Sequence, residues 1–198
     1  MKISYKKQMK NIETKFIKTA QITIISTLIA LSMTTFALAS DITSSNIEYL
    51  INKERIYYGL QPLKSDSDLD RAAKLKSKDM INRNYFEHFA YGLTPWDFVK
   101  NSGYKYKYAG ENLAMNFDTS EGVVKAWMNS PAHRANILST DFEDIGIGVV
   151  KGVYTENKNG FEDTYETTMV TTMYGKKKPV IFDFFNTIID NFRHLFNF

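Results

Sequence analysis

Apolar side chains recur along this chain at two spacings, and the spacing changes from helical to alternating near residue 145. Ile47, Leu50, Ile51 and Tyr58 fall on one side of a 3.6-residue repeat and Gly59 comes next, which predicts a helix from about Ser45 to Tyr58. Leu69, Ala72, Ala73, Met80 and Ile81 repeat the pattern from about Ser67 to Asn82, with Asp68 and Asp70 suited to the positive end of a helix dipole. Asn84 to Leu93 shows no period and reads as a loop. Thr94 then caps a short helix with Pro95 at its first position, closed by Gly103.

Tyr104, Tyr106 and Tyr108 alternate with lysines, which predicts a short extended segment leading to Glu111. A helix from about Ser120 to Met128 turns Val123, Val124 and Trp127 inward, and Ser130-Pro131 opens another short one. Ile145–Val150 and Glu166–Tyr174 read as strands of a long hairpin. Their connection, Glu156 to Asp163, is polar with Gly160 near its middle. Helices come first and strands last, so the pattern predicts an α+β domain with helices over an antiparallel sheet, not a parallel βαβ array.

Both ends differ from the body. A lysine-rich stretch precedes an apolar run from about Ile22 to Leu38, and Ala37-Leu38-Ala39 fits the small-x-small cleavage rule, so residues 1–39 read as an export signal. The alternative is an uncleaved anchor, since Ala20 to Ala39 just suffices to span a bilayer. Either way the domain at 40–175 is expected outside the cytoplasmic membrane, as a secreted or cell-surface protein. Residues 176–198 combine Lys176-Lys177-Lys178 with Ile181, Phe182, Phe185, Ile188, Ile189, Phe192, Leu195 and Phe196 at helical spacing. That pattern predicts an amphipathic helix, which either covers an apolar face of the domain or lies in a membrane surface beside anionic headgroups.

Composition narrows the chemistry. Of 198 residues, 43% are hydrophobic, enough for a packed core. There is no cysteine, which excludes disulfides, thiolate metal sites and a cysteine nucleophile. Residues 1–39 hold six of the 25 basic residues and one of the 22 acidic ones, so they carry +5 and the rest of the chain −2. The net +3 therefore gives no support for a nucleic-acid partner.

Of three histidines, His88 lies in Phe86-Glu87-His88-Phe89, and His133 in Ser130-Pro131-Ala132-His133-Arg134-Ala135-Asn136. Glu111 lies between them in Gly110-Glu111-Asn112-Leu113-Ala114. Imidazole titrates near neutrality and is a common metal ligand, so two histidines and a glutamate that converge would make a candidate site. Three such ligands suit an open zinc site. The structural alternative has each histidine fixing a loop through hydrogen bonds. Glu111 is left open as a ligand, a general base, a partner orienting one histidine, or a carboxylate pinning its own turn. Arg134 reads as solvated, Asn136 as a backbone partner, Trp96 and Trp127 as core. The three tyrosines read as an ordinary sheet face sooner than a glycan-stacking ledge.

These segments together resemble the CAP superfamily (cysteine-rich secretory proteins, antigen 5, pathogenesis-related 1), in a bacterial, cysteine-free form. The matching stretches are Phe86-Glu87-His88, Thr94-Pro95-Trp96, Ser102-Gly103-Tyr104, Gly110 to Ala114, Ala126 to Pro131, His133 to Leu138 and Ile145-Gly146-Ile147-Gly148. The likeness covers roughly residues 45–175. It implies an α-β-α sandwich with a central antiparallel sheet and a shallow cleft. Family members often place two histidines and two acidic residues there, and some hold a divalent metal such as zinc. His88, Glu111 and His133 match three of those positions. The fourth, usually a glutamate after the helical tryptophan, falls near Ser130 and is absent here.

The sequence lacks Gly-x-Ser-x-Gly, His-Glu-x-x-His and phosphate-cradling glycine loops. The expectation is an exported envelope-associated domain that binds a lipid, cell-wall or protein ligand at the His/Glu cleft. The alternative is a metal-dependent hydrolase in the same cleft, with zinc-bound water as nucleophile and Glu111 as base. A third reading is a structural surface protein with an inert cleft.

Overall fold

The computed structural model describes residues 19, 21, 41–158 and 160–179. The expected export segment and C-terminal helix therefore fall almost wholly outside the described residues. Contacts divide the chain into Met1–Ser40 and Asp41–Phe198, and the elements that position the site belong to the second unit.

These elements run α1 (Ser44–Tyr57), β1 (Lys64–Ser65), α2 (Ser67–Asn82), α3 (Pro95–Asn101), β2 (Tyr106–Ala114), α4 (Ser120–Asn129), α5 (Pro131–Ile137), β3 (Asp144–Lys158) and β4 (Phe161–Lys177). The helices begin where side chains satisfy their first N–H groups. Thr43 Oγ1 accepts from Asn46 N at 3.2 Å, Asp66 Oδ1 from Asp68 N at 2.9 Å, and Thr119 Oγ1 from Gly122 N at 3.0 Å. At α3 the Asp97 carboxylate accepts from both Thr94 N and the Thr94 hydroxyl.

The four strands form one sheet in the order β1-β3-β4-β2. The expected antiparallel sheet is mixed, because β1 pairs parallel with β3 through Lys64–Asp144 and Ser65–Ile145. Two residues carry no hydrophobic period, so this strand leaves no signature in the sequence. β3 also runs past the expected loop at 156–163, pairing with β4 out to Lys158–Phe161. Those extra rungs show no apolar alternation, and backbone pairing needs none. Two asparagines in the left-handed region hold the ribbon from its sides. Asn84 (φ 55°) gives and takes a bond with the Thr155 backbone, at 2.7 and 2.6 Å. Asn116 (φ 63°) bonds Thr167 and Tyr165.

Helices cover both faces of the sheet. On one side Ile47 and Ile51 of α1, Val123, Val124 and Trp127 of α4, and Ile137 of α5 pack with Ile145, Ile147, Val170 and Tyr174. On the other, Leu69, Ala72 and Ala73 of α2 meet Val99, Tyr104 and Met173, while Met80 meets Tyr85, Leu113 and Met169. The alternation Ile145-Gly146-Ile147-Gly148 explains the difference between the faces. The isoleucines enter the thick layer. A methyl on Gly146 or Gly148 would stand 2.1–2.4 Å from the backbone of α2, so the glycines let that helix lie directly on the strand.

One expectation on α1 is corrected. Tyr58 is exposed, its ring beneath the Arg134 guanidinium at 5.1 Å. Arg55 is the buried side chain, donating from Nε to Gln61 O and from Nη1 to Ile137 O and Ser139 O, each at 2.8–2.9 Å. It satisfies carbonyls at the C-terminus of α5 that the helix itself cannot.

Candidate functional site along the edge of β2

β2 is an edge strand, and the candidate residues gather along it. Glu111 sits in mid-strand opposite Met173. The loop after α2 brings His88 to it, with Nδ1 2.6 Å from Glu111 Oε1. The imidazole is 45% exposed and the carboxylate 2%. With Glu111 ionised, Nδ1 carries the proton and donates, so the free lone pair of the neutral ring is at Nε2. The second carboxylate oxygen, Oε2, is buried without a hydrogen-bond partner. Burial pushes the Glu111 carboxyl above its ordinary range, while the His88 hydrogen bond and the charges of Lys76 and His88 pull it down.

His133 arrives from the other face, on α5. Asn112 donates from Nδ2 to His133 O at 3.1 Å and to Tyr174 Oη at 3.2 Å. Asn136 donates from Nδ2 to Glu111 O at 3.0 Å and to Asn112 Oδ1 at 2.8 Å. One turn of α5 is thus locked to the strand that carries Glu111. Trp127 adds a bond from Nε1 to Leu113 O at 2.8 Å. Together Asn136 and Trp127 cover two β2 carbonyls, which limits pairing along this edge with another chain. The structure gives these motif residues a joining role, as expected for them: Asn136 bonds backbone, and Trp127 is core. Trp96 is half-buried, 6.2 Å from the Tyr106 ring.

The His133 ring is half-buried. Burial and then the charge of His88 lower its pKa from 6.5, so the two imidazoles feel each other. A depressed histidine contributes stability that is present above the unfolded value and lost as pH falls through the folded one. The domain should therefore weaken as pH drops below 6.5, and His133→Gln should flatten that dependence. Urea midpoints measured across this range check it; an unchanged slope in the variant would contradict the assignment.

Sequence reasoning misses Lys76, yet this residue organises the site. It is 1% exposed. Its Nζ donates to Glu87 O at 2.8 Å, His88 O at 3.0 Å and Tyr85 Oη at 3.3 Å, using all three protons. Tyr85 in turn donates to Asp79 at 2.7 Å. Burial lowers the Lys76 pKa, and Glu111, Asp79 and Glu87 partly restore it. A sequence signal exists: Lys76 stands in the stripe Leu69, Ala72, Ala73, Met80, where a charge has no solvent.

The tyrosines do not form a single ledge. Tyr104 is buried with its hydroxyl 2.6 Å from Asp144, Tyr108 is exposed, and the register shifts between Tyr106 and Tyr108. A groove of about 680 Å³ beside the hairpin, between Asn116–Asp118, Lys151–Val153 and Glu166–Thr168, holds none of the three candidate residues.

The donor set does not make a ready zinc site. Among the described residues no group of three or more His, Asp or Glu side chains is placed to hold a metal ion. One His88 nitrogen is already engaged by Glu111. What the arrangement offers is a buried acid fixing the tautomer of a half-exposed imidazole, with a second imidazole nearby.

Known proteins align with this architecture. YkwD, an uncharacterized protein of Bacillus subtilis (strain 168), is 50% identical over 104 residues, which is 52% of this chain and 40% of YkwD. The uncharacterized membrane protein YlbC of the same organism is 34% identical over 110 residues, 54% of this chain and 32% of YlbC. The chain thus spans well under half the length of either. An extracellular protein containing an SCP domain from Bacillus anthracis str. Ames superposes with a TM-score of 0.58 at 27% identity, over 68% of this chain and 40% of that one. An outer surface protein of Borrelia burgdorferi shares the fold, with a TM-score of 0.54 at 23% identity over 71% of this chain and all of that one. The model of the cysteine-rich secretory protein (CAP) family matches residues 48–171, well over half the chain, and the protein belongs to that family.

Proposed function

We propose that this is an exported, envelope-associated domain that binds a lipid, cell-wall or protein ligand of the cell surface at the β2 edge, through His88, His133 and Glu111. The observation that carries the reading is the pairing of a carboxylate 2% exposed with an imidazole 45% exposed, 2.6 Å apart. Burying a carboxylate beside a titratable ring costs stability and leaves Oε2 without a partner, so the pair is a poor structural device. It is a good recognition device. The tautomer is fixed from below, and Nε2 is presented to whatever settles on the edge.

Export is supported by the basic and apolar character of residues 1–39 and by the similarity to an extracellular SCP-domain protein. The reading uses no metal, because the described residues present no three-ligand set.

The imidazole signals of His88 and His133 provide the test. Muropeptides or anionic phospholipid micelles are titrated into the chain while both rings are tracked by NMR. Binding should move both sets of signals, and Glu111→Gln and His133→Ala should each weaken it by about tenfold or more, equivalent to about 1.4 kcal/mol. Binding that leaves both rings untouched, or that survives both substitutions, would place recognition elsewhere.

A further inference from the structure

A second charged surface lies at the start of β2. Lys100 at the end of α3, Lys105 just before β2, Lys107 near its start, and Lys178 just after β4 line a groove of about 570 Å³ with Tyr104 and Tyr106. No carboxylate is among the lining residues. Two neighbouring lysines are engaged otherwise: Lys176 pairs with Glu143 at 2.6 Å, and Lys177 with Asp66 at 2.8 Å while lying over the Tyr104 ring. The pairing has a consequence for the groove. Glu143 and Asp66 are thereby engaged by lysines outside the groove, while Lys100, Lys107 and Lys178 are exposed.

The backbone holds these cations together. Lys178 N donates to Lys105 O at 3.0 Å, so the exit of β4 is tied to the entrance of β2. α3 is set beside them by Val99, buried against Tyr104. Four lysines from three segments line one groove, and a chain with a nearly neutral body has no bulk need for them there. Convergence of this kind favours a ligand that brings several negative charges at once.

We propose that this groove is a phosphate-binding surface that seats the anionic headgroups of a phospholipid bilayer. The sequence beyond the groove favours a bilayer over a free phosphate. Soon after Lys178 and Pro179 the chain carries nine large apolar residues from Ile181 to Phe196. Lysines flanking such a segment pair electrostatic attraction with apolar burial, and stable attachment needs both. The groove shares no residue with the His88–Glu111 site.

The test uses the full chain and sedimentation with vesicles of pure phosphatidylcholine or of equal parts phosphatidylcholine and phosphatidylglycerol. Lysines near an anionic surface contribute about fivefold each to partition, so Lys100→Gln, Lys107→Gln and Lys178→Gln together should reduce binding to the anionic vesicles on the order of a hundredfold. Binding to neutral vesicles should not change. Wild-type binding should weaken in high salt, as the screening length shrinks from about 10 Å at 0.1 M to about 3 Å at 1 M. A control triple at exposed helix lysines, Lys53→Gln, Lys78→Gln and Lys125→Gln, lowers net charge equally and should retain binding. Equal losses in both triples would mean that net charge alone acts, and overturn the site. Unchanged partition in the groove triple would overturn it too. If the groove triple loses affinity for inorganic polyphosphate but not for vesicles, the bilayer is the wrong source of phosphate.

Discussion

Gly148→Ala should cost more than about 3 kcal/mol, a large loss for a single added methyl. The added carbon would stand 2.3 Å from the Ala73 carbonyl carbon and the Lys74 nitrogen, and 2.4 Å from the Ala73 oxygen. Those are backbone atoms of a 16-residue helix and cannot rotate aside. Relief requires α2 to lift from the sheet, and several contacts would go with it. Ser77 Oγ lies within hydrogen-bond distance of Gly148 O at 3.1 Å and of Thr171 Oγ1 at 2.9 Å. Asp70 Oδ1 accepts from Ile147 N at 2.8 Å. Gly152→Ala provides the contrast, because its methyl would meet only the Ile81 side chain, which can change rotamer. Urea unfolding of both variants checks this. Similar midpoints for the two would mean that α2 does not rest on β3 as closely as the structure has it. Since α2 leads into the loop of His88, loss of its seat also takes the site apart.

Lys76→Met is expected to cost roughly 3 kcal/mol, on the scale of one or two lost hydrogen bonds to a charged donor. Methionine fills nearly the same space, so little of the loss comes from a cavity. What goes is the donation to Glu87 O and His88 O, the tie that sets where the His88 ring meets Glu111. The charge that helps hold the Glu111 carboxyl down goes as well, so that group should take up a proton more readily. Two readouts separate this from simple destabilisation. Amide exchange should quicken at residues 85–91 more than in α4 or β4. The imidazole NMR signals of His88 should also move in the folded variant, since its hydrogen-bond partner is altered. Normal exchange in the loop with lowered global stability would make Lys76 a packing residue only.

The elements differ in how openly the sequence declares them. α2 is legible to the residue, from Ser67 to Asn82, because it combines an acidic first turn with a regular apolar stripe. α3 is equally plain, since Thr94-Pro95 encodes its own start. The far half of the β3–β4 hairpin is not, because it lacks a regular apolar alternation and is held by asparagines 49 and 71 residues distant along the chain. β1 is invisible for a related reason: it exists only because β3 lies beside it.

The site divides the same way. Local chemistry and resemblance pick out His88, Glu111 and His133 as side chains suited to converge. Their arrangement stays open among ligand, base and orienting partner, since a hydrogen bond between residues 23 apart arises from folding, not from neighbours. Tertiary packing made Glu111 a buried partner of His88. It engaged Asn112 and Asn136 in joining α5 to β2, and drew Lys76 into the core to hold a loop. Sequence by itself determined which segments are helical, which are extended and which side chains have useful chemistry, because those depend on contacts within a turn or along a strand. Only the three-dimensional fold decided which charges lose their water, because burial is set by segments that the local pattern never meets.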